Sequence, residues 1–160
     1  MADTASRPDI GDKAPDFDLP AAGAENVKLS ALSGKAVVLF FYPKDDTSGC
    51  TAEAIDFTAA LPDFQRLDVK VIGMSPDPVK KHDKFREKHG LQTVLVSDEE
   101  KKTLSDYGVW VEKSMYGRKY MGVERSTFLI AADGTILKAW RKVKVPGHVA
   151  DVLKAAKELV

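Results

Sequence analysis

Apolar positions along the chain follow two periods. Ala36-Val37-Val38-Leu39-Phe40-Phe41-Tyr42 is a continuous apolar run rich in β-branched and aromatic residues. That pattern predicts a strand buried on both faces, as in a sheet covered by helices. Pro43 ends it. Val69–Ser75 and Thr93–Ser97 repeat the pattern and predict two further strands. Between them the period changes. From Thr51 onward, Ala54, Phe57, Leu61 and Phe64 recur at helical spacing, with Pro62 expected to kink or break the helix. Pro78–His89 reads as an amphipathic helix, with Pro78 in its first turn and Gly90 just past its end. Asp98–Tyr107 reads as another, stopped by Gly108.

The two ends of the chain behave differently. Ile10–Pro20 alternates apolar and polar residues between prolines, which suits an extended, edge-like segment. A small-residue turn over Ala21–Glu25, a short strand over Val27–Leu29 and one helical turn over Ser30–Gly34 follow. Later, Ser126–Ile130 and Ile136–Trp140 are predicted strands, joined through Asp133-Gly134, a strong hairpin signal. His148–Val160 closes the chain as a helix, with Val149, Val152, Leu153, Ala156 and Leu159 on one face. Helix-separated strands followed by a hairpin predict an α/β fold with a central mixed sheet flanked by helices. One domain is expected over residues 9–160, after a flexible polar tail over residues 1–8.

Composition narrows the function. The chain has 160 residues, enough for one domain with a real core. Lys plus Arg equals Asp plus Glu at 24 each, so the formal net charge is zero. A general binder of nucleic acid or anionic membrane would carry a basic excess. No apolar run approaches the roughly 20 residues of a membrane span. Residues 1–8 have no apolar core of a secretory signal, so a cytoplasmic location is expected.

Cys50 is the one cysteine. An internal disulfide, a CxxC pair and a multi-cysteine zinc site are therefore excluded. A lone cysteine is often a small, inert core residue. The context here suggests more. Asp46-Thr47-Ser48-Gly49 leads from a strand end straight into the helix that carries Cys50. A helix N-terminus and a nearby cation both favour the thiolate, the reactive form. Thr47 or Ser48 is a candidate helix cap. Gly49 permits close approach, and the free N–H groups of Gly49, Cys50 and Thr51 would face the sulfur or an oxygen brought to it.

Pro43, Thr47 and Cys50 together form Pro-x-x-x-Thr-x-x-Cys, which resembles the active-site signature of peroxiredoxins. Phe41–Asp45, Gly49–Thr51, Glu53-Ala54, Tyr107–Trp110, Met115–Gly117, Arg125–Ile130 and Trp140–Val143 are similar to the Q-type, or bacterioferritin-comigratory-protein, branch. The resemblance runs from Gly11 to the last helix. It implies a thioredoxin-like fold with an N-terminal β extension. It also implies a thiol-dependent peroxidase acting on hydrogen peroxide and organic hydroperoxides. Cys50 matches the peroxidatic nucleophile, which becomes a sulfenic acid. Thr47 matches the residue whose hydroxyl bonds the peroxide. Arg125 matches the arginine that holds the thiolate and polarises the peroxide. Pro43 and Gly49 match the pocket. Glu53 and Arg141 match supporting positions that orient Arg125. No metal or cofactor is implied.

Each residue also has a plainer reading. Thr47 can be a cap alone, Arg125 the partner of a carboxylate such as Glu53, and Pro43 a strand terminator. His82, His89 and His148 read as surface or capping residues. Trp110, Tyr116 and Trp140 read as packing, with Trp110 a candidate for the pocket mouth. A non-enzymatic alternative is a peroxide sensor that forms mixed disulfides with a partner and turns over little.

One departure matters. Many Q-type members carry a resolving cysteine five residues after the peroxidatic one; here that residue is Ile55. Others carry it in the next helix, near His82–Lys84, and none is there. The chain resembles a one-cysteine peroxiredoxin. Its sulfenic acid must be reduced by an external thiol, whether thioredoxin, glutaredoxin or glutathione. Overoxidation is the expected failure mode. The resemblance extends to monomers and weak homodimers alike.

Overall fold

The computed structural model describes residues 7–160. Its strands are β1 (Asp18–Ala22), β2 (Asn26–Lys28), β3 (Ala36–Phe41), β4 (Val69–Ser75), β5 (Val94–Ser97), β6 (Trp110–Met115), β7 (Arg118–Val123), β8 (Ser126–Ile130) and β9 (Ile136–Arg141). The helices are α1 (Ser48–Arg66), α2 (Val79–His89), α3 (Lys102–Asp106) and α4 (His148–Leu159). A 3-10 turn covers Leu29–Leu32.

Seven strands form one sheet in the order β2-β1-β5-β4-β3-β8-β9. The central pairs β3–β4 and β4–β5 are parallel, and the pairs toward both edges are antiparallel. Every residue of β3 is buried, as its unbroken apolar run requires. Its side chains alternate between the two faces. Val37, Leu39 and Phe41 join a core with Ile72, Met74, Leu104 and Phe128. Val38, Phe40 and Tyr42 join a second core with Phe57, Phe85 and Val152. Thus α1, α2 and α4 cover one face, while α3 contributes Leu104 to the other.

Several expectations need correction. The helix after Cys50 does not break at Pro62 but runs on to Arg66. Buried Phe57 and Phe64 hold it to the sheet on both sides of the proline. The missing proline N–H costs only the donor for the Thr58 carbonyl. The third helix begins at Lys102, not Asp98, because Lys101 adopts a left-handed φ of 62°. The Asp98 carboxylate instead accepts a bond from the Leu104 N–H at 2.9 Å. Pro78 is the residue before α2 and Gly90 closes it at φ 63°. Residues 1–6 of the expected tail lie outside the described residues. Arg7 and Pro8 are held: Arg7 pairs with Glu124 at 2.8 Å and the Pro8 carbonyl accepts from Arg141 at 2.7 Å.

The antiparallel hairpin β6–β7 has no counterpart in the sequence reading. Most of its residues are exposed, so no apolar alternation marks it. It turns through Tyr116 at φ 53° and Gly117 at φ 78°.

Candidate active site

Cys50 lies in the first turn of α1, just beyond the C-terminal end of β3. Register brings a second segment to the same place. β8 runs antiparallel to β3 with Ser126 opposite Phe41, so Arg125, one residue earlier, stands at the same end of the sheet. The Val143 N–H fixes it there by donating to the Arg125 carbonyl at 3.0 Å. The third residue comes from helical geometry. Glu53 is three positions after Cys50 and shares its face of α1.

These three side chains are joined. Arg125 Nη1 donates to Glu53 Oε1 at 2.7 Å, and Nη2 donates to the Cys50 sulfur at 3.3 Å. Cys50 is 2% exposed and Glu53 fully buried. Glu53 Oε2 has no hydrogen-bond partner among the described residues. Burial pushes the Glu53 carboxyl up to about 7, against the pull of Arg125. Burial works against the Arg125 charge, but Glu53 and Cys50 beside it hold its pKa above the ordinary value.

Gly49 makes this approach possible. A Cβ there would stand 3.2 Å from Arg125 Nη2. Its missing side chain therefore makes room for the guanidinium.

Thr47 precedes α1 in extended conformation, and its carbonyl accepts the Thr51 N–H at 2.8 Å. Among the described residues, the N–H groups of Ser48, Gly49 and Cys50 have no hydrogen-bond partner, as expected of a helix start. Thr47 does not cap with its side chain. Its hydroxyl donates to the Lys44 carbonyl at 2.8 Å, which leaves its lone pairs free to accept. Pro43 is half-buried between the strand end and this loop.

Arg141 does not orient Arg125. Its Nη2 donates to the carbonyls of Pro8 and Tyr107, and its guanidinium lies 5.0 Å over the Phe128 ring. Although Arg141 pairs opposite Ser126 in β9, its side chain is committed to the N-terminal segment.

The histidines also differ from expectation. His82 is completely buried and His148 nearly so. His82 Nδ1 lies 2.6 Å from Asp45 Oδ2, and His148 Nε2 lies 2.8 Å from Thr127 Oγ1. His89 bonds Asp46 at 2.8 Å from the surface of α2. Asp45, Asp77 and His82 are the described group whose ligand atoms gather closely enough for a metal ion. They are engaged with one another and with Tyr42, Ser75 and Lys81.

Sequence reasoning also missed Lys113, on the unpredicted hairpin. Burial and the repulsion of Arg125 lower its pKa, while Glu124 and Cys50 oppose that shift. Its side chain lies along Gly122 of β7. Only recognition of β6 would have found it.

A family model described as AhpC/TSA matches residues 10–139. The chain belongs to the AhpC/TSA family. Within that family it is a peroxiredoxin of the Bcp/PrxQ kind, a thiol-dependent peroxidase. It is 50% identical over 151 residues to peroxiredoxin Bcp of Bacillus subtilis, covering 94% of this chain and 96% of that one. A crystal structure of a Xylella fastidiosa PrxQ variant matches with a TM-score of 0.90 at 40% identity, over 95% of this chain and 97% of that one. The Xanthomonas campestris bacterioferritin comigratory protein, described for its alkyl peroxide reduction activity, matches with a TM-score of 0.85 at 44% identity, covering 89% and 90% of the two chains. Among the described residues, no helix is long and apolar enough to cross a membrane.

Proposed function

We propose that Cys50 is the peroxidatic nucleophile, served by Arg125, Thr47 and the free N–H groups at the start of α1. The observation that carries this reading is the 3.3 Å contact from Arg125 Nη2 to the Cys50 sulfur. The thiolate attacks one oxygen of a hydroperoxide. An S–O bond forms as the O–O bond breaks, leaving a sulfenic acid and an alkoxide or hydroxide that takes a proton. Negative charge develops on the departing oxygen, and a guanidinium and backbone N–H groups suit that charge. Arginine cannot give up its proton, so its charge persists through the reaction. The Thr47 hydroxyl, already donating to Lys44, faces the peroxide as an acceptor for its O–H. Pro43 and Gly49 shape the approach.

The second half of the cycle needs another molecule. Cys50 is the sole cysteine, so no internal thiol can attack the sulfenic acid. An external thiol condenses with it, releasing water and forming a mixed disulfide. A second thiol then frees Cys50 and leaves as a disulfide. Two thiols and one hydroperoxide thus give one disulfide, one alcohol and one water. Hydrogen peroxide and small alkyl hydroperoxides are the proposed substrates, and a reducing cytosol the proposed setting.

Steady-state peroxide consumption with excess dithiothreitol tests this reading. Wild type is expected to consume peroxide and Cys50→Ser to run at the background rate. Equal rates would overturn it.

A further inference from the structure

Behind the Cys50 loop lies a buried polar cluster that the peroxidase chemistry does not use. The loop between β3 and α1 turns one carboxylate inward, that of Asp45, which is 4% exposed. Its Oδ1 accepts from the Tyr42 hydroxyl at 2.6 Å. Its Oδ2 lies 2.6 Å from His82 Nδ1. The Asp45 N–H donates to Asp77 Oδ2 at 2.7 Å. The other ring nitrogen, His82 Nε2, lies 3.0 Å from the Val96 carbonyl. A carbonyl only accepts, so Nε2 carries a hydrogen. One more proton is then held between Nδ1 and Oδ2. The imidazole is fixed at both ends, by β5 and by the loop.

The surface repeats this arrangement. Asp46, the next residue, adopts a left-handed φ of 62° and turns outward. Lys88 and His89 of α2 both bond it at 2.8 Å. Two consecutive acidic residues are thus gripped by one helix from opposite sides. Thr47, whose hydroxyl donates to the Lys44 carbonyl, is the residue that follows.

Resting on the reading of Cys50 given above, we infer that His82 is a positioning residue of the peroxidase reaction. Through Asp45 it holds the loop that sets Thr47, Gly49 and Cys50 against Arg125. It touches neither peroxide nor sulfur. With both partners buried, no water replaces its bonds when they are lost. Small displacements of a reacting group cost large factors in rate.

Two substitutions separate the ends of the ring. Asparagine places an amide near Nδ1, so His82→Asn keeps a donor to Asp45 and loses Val96. Glutamine places its amide near Nε2, so His82→Gln keeps Val96 and loses Asp45. The measurements are the second-order rate of Cys50 oxidation by hydrogen peroxide and hydrogen exchange at the amides of Asp45 and Thr51. His82→Gln is expected to slow oxidation about 10–100-fold, with faster exchange confined to those amides. His82→Asn is expected to stay near the wild-type rate. Wild-type oxidation in His82→Gln would overturn the inference. So would equal losses in both variants with faster exchange throughout β3 and β4. If His82→Gln does not fold, Tyr42→Phe removes the hydroxyl that bonds Asp45 at 2.6 Å and lies 3.4 Å from His82 Nδ1. It is expected to give a smaller loss with the same localised exchange, and an unchanged rate would overturn the inference. A wild-type protein no faster than Cys50→Ser would instead sink the reading of the site itself.

Discussion

Arg125 reaches the Cys50 sulfur with one guanidinium nitrogen, at 3.3 Å, while its other nitrogen holds Glu53 at 2.7 Å. The fork geometry of arginine ties the Cys50 thiol to a buried carboxylate three residues further along the same helix. Lysine offers no such planar pair of donors. Arg125→Gln should therefore lower the rate of Cys50 oxidation by peroxide about 10²–10³-fold, the typical effect of losing one donor at a developing oxyanion. Stopped-flow measurement of sulfenic acid formation checks this. The fold should survive, because Glu53, already raised to about 7, can take a proton when its partner is gone.

Gly49→Ala should move activity and stability in opposite directions. The new Cβ would stand 3.2 Å from Arg125 Nη2, and Glu53 restrains the guanidinium from retreating. Peroxide reactivity should drop by about tenfold, in keeping with small displacements of a catalytic group. The helix start should gain up to about 0.5–1 kcal/mol from replacing glycine by alanine. A thermal melt beside a peroxide assay tests both halves.

Glu53 should make the protein less stable as pH rises. Its carboxyl is raised by burial from 4.5 to about 7, so the unfolded chain releases the proton first. Between those values the folded state binds more protons. The contribution of Glu53 is full below about pH 4.5 and is lost as pH climbs through 7. Glu53→Gln removes this slope. The melting temperature of wild type relative to Glu53→Gln should therefore fall between pH 4.5 and 8. A constant difference would contradict the prediction.

His148 should act with the opposite sign. Burial, assisted by repulsion from Arg125 and opposed by Asp151, lowers its pKa from 6.5 to about 4. The fold holds it neutral, and the unfolded chain takes up the proton first as the solution is acidified. Its contribution is full above pH 6.5 and is lost as pH falls toward 4. His148→Gln, which retains a group able to bond Thr127, should melt with less dependence on pH between those values. Scanning calorimetry at pH 4.5 and 7 gives the comparison.

Much of this arrangement was legible in the sequence. The apolar run Ala36–Tyr42 and the helical spacing after Thr51 located Cys50 at a strand-to-helix junction. Glu53 entered through resemblance, and its place three residues after Cys50 agrees with a shared helix face. The Asp133-Gly134 turn located β8 and β9, and with them the segment carrying Arg125.

What escaped was set by tertiary contact. The hairpin carrying Lys113 is exposed over most of its length, so its strands show no alternation to read. His82 sits in a helix crowded with lysines, which suggested a surface residue. Yet it falls three positions before Phe85, the buried aromatic of α2, and so shares its inner face. That spacing was the available signal. Arg141 was matched to the site by resemblance, but only packing shows its guanidinium turned to Pro8 and Phe128. For Thr47, the resemblance gave a hydroxyl that bonds peroxide without its direction, and the Lys44 carbonyl takes its proton.

The central claim is that one thiol performs the oxidative half of the cycle and has no internal partner for the other half. Intact-protein mass spectrometry after one equivalent of hydrogen peroxide, with dimedone present, tests it most directly. The expected result is a single dimedone adduct mapping to Cys50, absent from Cys50→Ser and prevented when excess thiol competes for the sulfenic acid. An unmodified Cys50 in protein that has consumed the peroxide would contradict it.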